Sequence, residues 1–321
     1  MELRCFVAGM IPFGLMIFSI GTACGQAYPD KSIRMVTGGD PGGGNDTVSR
    51  IITPGMAANL GQQVIVDNRR SAIIGDLVSK APADGYTLCI TGGTFLIGPL
   101  MMKEMPYDPV KDFITVTVVS TEPTVLVVHS SVPANSVREL IALAKAKPGV
   151  LNYATTGSGG IAHLSGALFA YMTGINIVRV PYKGGGAAVS GVLSGETQMG
   201  FSSTSSVAPH IKSGKLRALA VSSLKPSALV PGLPTVSESG VPGYESLGIT
   251  GIWAPANTPE KIINRLNQEI VRVLNQSDVK QKLLNLGQEI FANSPREAAA
   301  WIKSDLAKWS KLIKEAGIKA E

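Results

Sequence analysis

Ser32-Ile33-Arg34-Met35-Val36-Thr37-Gly38-Gly39-Asp40-Pro41-Gly42-Gly43-Gly44-Asn45-Asp46 is the stretch from which the fold can be read. Ile33, Met35 and Val36 suit a short buried strand, and Asn45 or Asp46 suits the N-cap of a helix from Thr47 onward. A strand that passes through glycines into a helix leaves backbone N–H groups unpaired and aimed outward. The helix dipole adds partial positive charge at the same point, so the junction attracts a carboxylate or a phosphate. It serves equally well merely to reverse the chain. Gly42, Gly43 and Gly44 match neither the dinucleotide spacing nor a phosphate-binding Gly-Lys-Ser/Thr loop, so a nucleotide is not indicated.

The arrangement recurs along the chain. An apolar run at 151–155 leads into Thr156-Gly157-Ser158-Gly159-Gly160 and a helix with Ile161, Leu164, Leu168 and Tyr171 on one face. Another run at 177–180 leads into Tyr182-Lys183-Gly184-Gly185-Gly186 and a helix with Ala188, Val192 and Leu193. Strands are expected at 64–66, 86–91, 115–119, 125–128, 199–202 and 216–222, with a return crossing at 248–254. A helix is expected at 75–80, and Gly92-Gly93-Thr94 reads as a turn that ends the strand before it. Pro54 predicts a kink or an early end to the first helix. Ser136 with Glu139, Thr258-Pro259-Glu260 and Ser294-Pro295 mark further helix starts, the last with Trp301, Ile302, Trp309 and Ile313 facing inward. The alternation predicts an α/β protein of two domains, each a mainly parallel sheet flanked by helices, whose glycine loops face each other across a cleft.

Composition agrees with that architecture. The chain has 321 residues, 45% hydrophobic and 16% charged, enough for two buried cores. A net charge of +6, scattered until the C-terminal helices, does not form a nucleic-acid footprint. The apolar stretch 5–20, broken by Gly9, Pro12 and Gly14, is shorter than the roughly 20 residues of a membrane span and fits a signal-peptide core. Small residues at Gly25 and Ala27 place cleavage after Ala27, with lipidation at Cys24 the less favoured alternative. That leaves Cys89 alone in an apolar strand, buried and without a disulfide partner. Three dispersed histidines give no transition-metal pattern, and no cofactor motif is present. Ser158 and His163 lack the surroundings of a catalytic serine, so no enzyme is indicated.

With Asn68-Arg69-Arg70, Ala81-Pro82-Ala83-Asp84-Gly85-Tyr86, Pro106-Tyr107-Asp108-Pro109, Val180-Pro181-Tyr182-Lys183-Gly184 and Pro209-His210-Ile211-Lys212 added to the glycine loops, the chain resembles the Bug-type, or TctC-like, extracytoplasmic solute receptors of tripartite tricarboxylate transporters. The resemblance runs from Tyr28 almost to Glu321. It implies a periplasmic receptor with a type II-like binding-protein fold: signal peptide 1–27, one domain from 28–126 and 252–321, the other from 127–251. It further implies closure on a small carboxylate, with Gly42, Gly43, Gly44, Asn45 and Asp46 as the first clamp. Gly157, Ser158, Gly159, Gly160 and His163 would form the second, and Tyr182, Lys183 and Gly184 would line the cleft.

Departures from the family pattern bear on the ligand. Asp40 stands in a segment that is commonly apolar, and Ser202 stands where many members have Asp. Asp40 beside an anion site repels a second carboxylate and attracts an ammonium or amide, which points to a monocarboxylate, an amino acid or an amide-bearing acid. Strands near 125–129 and 251–255 are the expected hinge. The implied partners are transporter membrane subunits; a sensor ectodomain in a signalling system, or loss of binding altogether, are the alternatives.

Overall fold

A computed structural model describes residues 28–39, 41–102 and 105–318. The expected leader at 1–27, with Cys24, and Asp40 lie outside these residues. In chain order the first series is β1 (Ile33–Gly38), α1 (Gly44–Leu60), β2 (Val64–Arg69), α2 (Ser71–Ser79), β3 (Thr87–Gly92), α3 (Gly93–Met101) and β4 (Phe113–His129). The second is α4 (Val137–Ala146), β5 (Asn152–Thr155), α5 (Ile161–Thr173), β6 (Val178–Pro181), α6 (Gly185–Leu193), β7 (Met199–Ser203), α7 (Thr204–Lys212) and β8 (Leu216–Val221). The chain returns through β9 (Leu247–Pro255), α8 (Glu260–Leu274), α9 (Ser277–Asn285), β10 (Glu289–Ile290) and α10 (Pro295–Glu315).

Local sequence explains most boundaries. Helix α8 buries Ile263, Leu266, Ile270 and Val273, one stripe at helical spacing. Helix α10 opens with a complete capping box, Ser294 accepting from the Glu297 amide while the Glu297 side chain accepts from Ser294. Other starts differ from the sequence reading. Helix α1 begins at Gly44 with Gly43 as N-cap, so Asp46 lies inside the first turn. Pro54 does not end α1, because it sits on the exposed face, where the carbonyl its ring crowds can turn toward water. Pro259, not Thr258, caps α8; the Thr258 hydroxyl instead donates to the Pro255 carbonyl at 2.7 Å.

The sheet is ordered β2-β1-β3-β9-β4-β7-β5-β6, with β8 and β10 also pairing with β4. Strands β2, β1 and β3 are mutually parallel, and so are β7, β5 and β6. Between these trios the pairing is antiparallel, β3 to β9, β9 to β4 and β4 to β7. The strands expected separately at 115–119 and 125–128 are one continuous β4, which pairs with β9 up to Pro123 and with β7 and β8 from Thr124 onward.

The register fixes where the trios point. Gly92 at the end of β3 is level with Thr250, and Thr250 with Ser120. From the other side, Ser203 at the end of β7 is level with Thr124. The first trio runs in the direction of β4 and the second runs against it, so both carboxyl ends face the short segment 120–124 of a single strand. On one face α1 and α8 pack through Ile52, Met56, Leu266 and Ile270 onto Leu88, Ile90 and Ile252. The other face is one continuous apolar cluster, from Ile74 and Cys89 to Leu126 and Phe201, with Trp253 and Trp309 within it. Cys89 is fully buried and unbridged, and burial pushes its thiol up.

Gly251 on β9 leaves room for the buried Trp253 ring, which folds back along its own strand. A Cβ there would lie 2.4 Å from the ring. Gly251→Ala is expected to lower unfolding stability by about 1–3 kcal/mol, seen as a reduced urea midpoint with unchanged slope.

Candidate functional site

A cavity of about 290 Å³ lies across the segment where the trios meet. Its wall takes Gly38, Gly44 and Asn45 from the first loop and Gly92, Gly93 and Thr94 from the end of β3. From the second trio come Gly159, Ile161 and Leu164, and from the crossing strands Glu122 and residues 247–250. Two larger grooves, about 740 and 680 Å³, are each one-sided: the first is built from α3, the following loop and α10, the second from the β8 region. Of these three, the central cavity is the one lined by both trios and by the strands joining them.

Its walls are helix N-termini. Helices α1, α3 and α5 begin at Gly44, Gly93 and Ile161, each capped by a glycine in extended conformation. The first amides of a helix have no carbonyl within that helix to bond, so three N-termini from both sides present donors and partial positive charge to one space. The side chain of Met101, at the end of α3, closes against the second trio's loop: a Cβ on Gly159 would lie 2.1 Å from the Met101 methyl. No Lys, Arg or His is among the described residues that line the cavity.

Asp46 does not reach into this space. Its carboxylate, 2% exposed, accepts from the Gly42 amide at 2.8 Å, from Arg50 Nε at 3.0 Å and from Asn68 Nδ2 at 3.0 Å. The Arg50 hydrogen bond is the main reason that its carboxyl falls to about 2, with Gly42 and Asn68 adding to it against the opposing effect of burial. Asp46 therefore braces the first loop from behind and occupies the Gly42 amide, leaving the Gly44 and Asn45 end of the helix to face the cavity.

The floor is polar and acidic. Gln288 Oε1 accepts from the Ser120 hydroxyl and, at 3.5 Å, from that of Thr250. Glu122 stands beside them, opposite Gly248 on β9. Burial pushes its carboxyl up, and no cation or donor among the described residues offsets that effect.

The sequence-derived site divides. Gly44, Asn45 and Gly159 line the cavity, and Gly42, Gly43, Gly157 and Gly160 shape the turns that present them. Ser158 and His163 turn elsewhere: the Ser158 hydroxyl accepts from Arg179 at 3.3 Å. His163 Nδ1 accepts from the Gly159 amide at 3.2 Å, and its ring faces a separate groove with Arg179. Tyr182, Lys183 and Gly184 do not reach the cavity, because β6 is the outermost strand of its trio. The Tyr182 ring instead packs on α6, where a Cβ on Gly191 would lie 2.3 Å from its oxygen. Ser202, half-buried on β7, is likewise not part of the wall. Asp40 lies outside the described residues.

The residues that the sequence reading missed are Gly92, Gly93 and Thr94, which open α3, and Glu122, Thr250 and Gln288 on the floor. A fourth glycine junction stands in the sequence at Gly92-Gly93, where it reads as a turn that ends the strand. The apolar run after it, interrupted by Gly98 and Pro99, hid the helix.

Residues 48–318 match the family model described as tripartite tricarboxylate transporter family receptor. Protein BugT of Bordetella pertussis is 33% identical over 314 residues, covering 95% of this chain and 96% of that protein. Among solved structures, R. palustris Rpa4515 with adipate superposes with a TM-score of 0.75 at 33% identity, covering 91% of this chain and 99% of that one. MatC (Rpa3494) from Rhodopseudomonas palustris with bound malate superposes with a TM-score of 0.72 at 28% identity, covering 89% and 100%.

Because the Asp46 carboxyl is held at about 2 in the folded protein against an ordinary 3.8, its stabilising effect is complete above about pH 4 and is lost as pH falls through about 2. Asp46→Asn is expected to lower stability near neutral pH by about 1.5–3 kcal/mol. The variant should then lose less than wild type between pH 4 and pH 2, as measured by urea unfolding at each pH.

Proposed function

The chain belongs to the tripartite tricarboxylate transporter receptor family, and on that footing we propose that it captures a small carboxylate-bearing metabolite in the central cavity and delivers it to transporter membrane subunits. The observation that carries this reading is the convergence of three helix N-termini from both parallel trios on one space with no cationic side chain among its described lining residues. Amide donors at helix starts hold an anion without a counter-charge that would have to be stripped of water on every cycle. The adipate and malate named with two of the related structures favour a small acid, and a cavity of about 290 Å³ suits a metabolite more than a peptide.

In this reading residues 28–126 with 252–321 form one lobe and residues 127–251 the other, with export to the periplasm directed by residues 1–27. The change of β4 partners between Pro123 and Thr124 supports a pivot at that point, next to the ligand. An acid bridging the amides of Gly44 and Asn45, Gly93, and Ile161 bonds fully only when the lobes are shut. Binding energy thereby selects the shut form that the membrane partner recognises; a ligand equally good for both forms would shift nothing. We assign no catalysis, since Ser158 and His163 are engaged by Arg179 and Gly159 in place of each other.

A saturating ligand, at about 100 times its dissociation constant, is expected to stabilise the fold by about 2.7 kcal/mol, read as a thermal shift across a panel of carboxylates. A Cβ on Gly44 would meet no atom within 4 Å, so the position tolerates a side chain that projects into the cavity mouth. Gly44→Val should therefore change unliganded stability by less than about 1 kcal/mol while abolishing the shift. An unaltered ligand response in that variant would remove the α1 terminus from the site.

A further inference from the structure

We propose that Glu122 makes the cavity selective for acids that also carry an ammonium group, with the carboxylate at the helix N-termini and the ammonium at the Glu122 carboxylate. The proposal rests on the capture reading above and names the ligand class for the same site.

Its first support is position. Glu122 lies midway along the 120–124 segment at which the carboxyl ends of both trios arrive, so any molecule that spans the three helix starts passes over it. Its cross-strand neighbour is Gly248, and a Cβ there would lie 3.3 Å from Glu122 Cβ and 3.7 Å from Oε2. The glycine thus leaves the space over which the carboxylate lies. The rest of the floor is neutral, since Ser120 and Thr250 direct their hydroxyls to Gln288 and not to Glu122.

Charge is the second support. An acid half-buried in a cavity wall normally has a cation beside it, because desolvation of an unpaired charge is costly. Here no Lys, Arg or His is among the described lining residues. Helix N-termini at one side and a carboxylate at the other form a dipolar cavity, complementary to a zwitterion. A second carboxylate on the ligand would meet Glu122 as a like charge, and an alkyl end would leave it desolvated with no partner, so both are disfavoured. Ile97, Ile161 and Ile249 offer apolar wall for the methylenes between the two ends.

Calorimetry and thermal shift on the full mature chain, with matched carboxylates of about three to six carbons, test this. Each length is offered as the alkyl acid, the α-amino acid, the ω-amino acid and the dicarboxylate. In wild type at least one amino acid is expected to bind at least about tenfold more tightly than both its alkyl and its dicarboxylate counterparts, and in Glu122→Gln that margin should shrink below about threefold. Dicarboxylates binding best in wild type, or a margin unchanged in Glu122→Gln, would overturn the role of Glu122 while leaving carboxylate capture standing. If no acid of any type bound to wild type, the capture reading would fail and this inference with it.

Discussion

The antiparallel pairing of β4 with β9 on one side and with β7 on the other is the constraint on which the rest of the molecule depends. A strand can change partners along its length only if the second partner begins where the first ends, and here the change falls between Pro123 and Thr124. The first trio approaches that point along the direction of β4 and the second against it. The loops that follow β1, β3 and β5 are thereby directed to the middle, while the loop after the outermost β6 stays clear of the cavity. Parallel sheets bind ligands outside the carboxyl ends of their strands, and two of them meeting head-on along a shared strand make one such site from two. The position of the cavity follows from hydrogen-bond register alone.

Positive potential in that cavity comes from backbone, and the one ionisable side chain among its described lining residues is Glu122. Arg50 is held behind the first loop by Asp46. Had Asp46 faced forward, its negative charge would have cancelled the attraction of the α1 terminus for an acid. Turned back, it fixes the Gly42 turn and leaves the terminus active. His163 does the corresponding work in the second loop, where its ring accepts the Gly159 amide and pins the turn before α5. Asp46 and His163, which read as ligand contacts in the sequence, instead support the backbone that faces the cavity.

Legibility followed the range of the interactions involved. The strand–glycine–helix junctions at Gly42-Gly43-Gly44 and Gly157-Ser158-Gly159-Gly160 were visible because backbone conformation there is set by neighbours in sequence. So were the helix starts at Ser136 with Glu139 and at Ser294-Pro295. The roles of Asp46 and His163 were not, because each depends on rotation about side-chain bonds that places the group against a turn and not into open space. Tyr182-Lys183-Gly184 has the same local grammar as the other junctions. Its exclusion from the cavity is a consequence of strand order, which no local pattern encodes.

Alternating strand and helix periodicity, glycine spacing and composition were sufficient, without coordinates, to specify an α/β chain with opposed glycine loops and no nucleotide, metal or catalytic motif. These properties reside in short windows, where each residue's conformational preference acts on its immediate neighbours. Only the tertiary structure determined that the two apolar runs at 115–119 and 125–128 are one strand, that α3 supplies the third helix start, and that Glu122, Thr250 and Gln288 form the floor. Those residues are separated by long stretches of chain and come together through cross-strand register, a relation that exists only once the strands have paired.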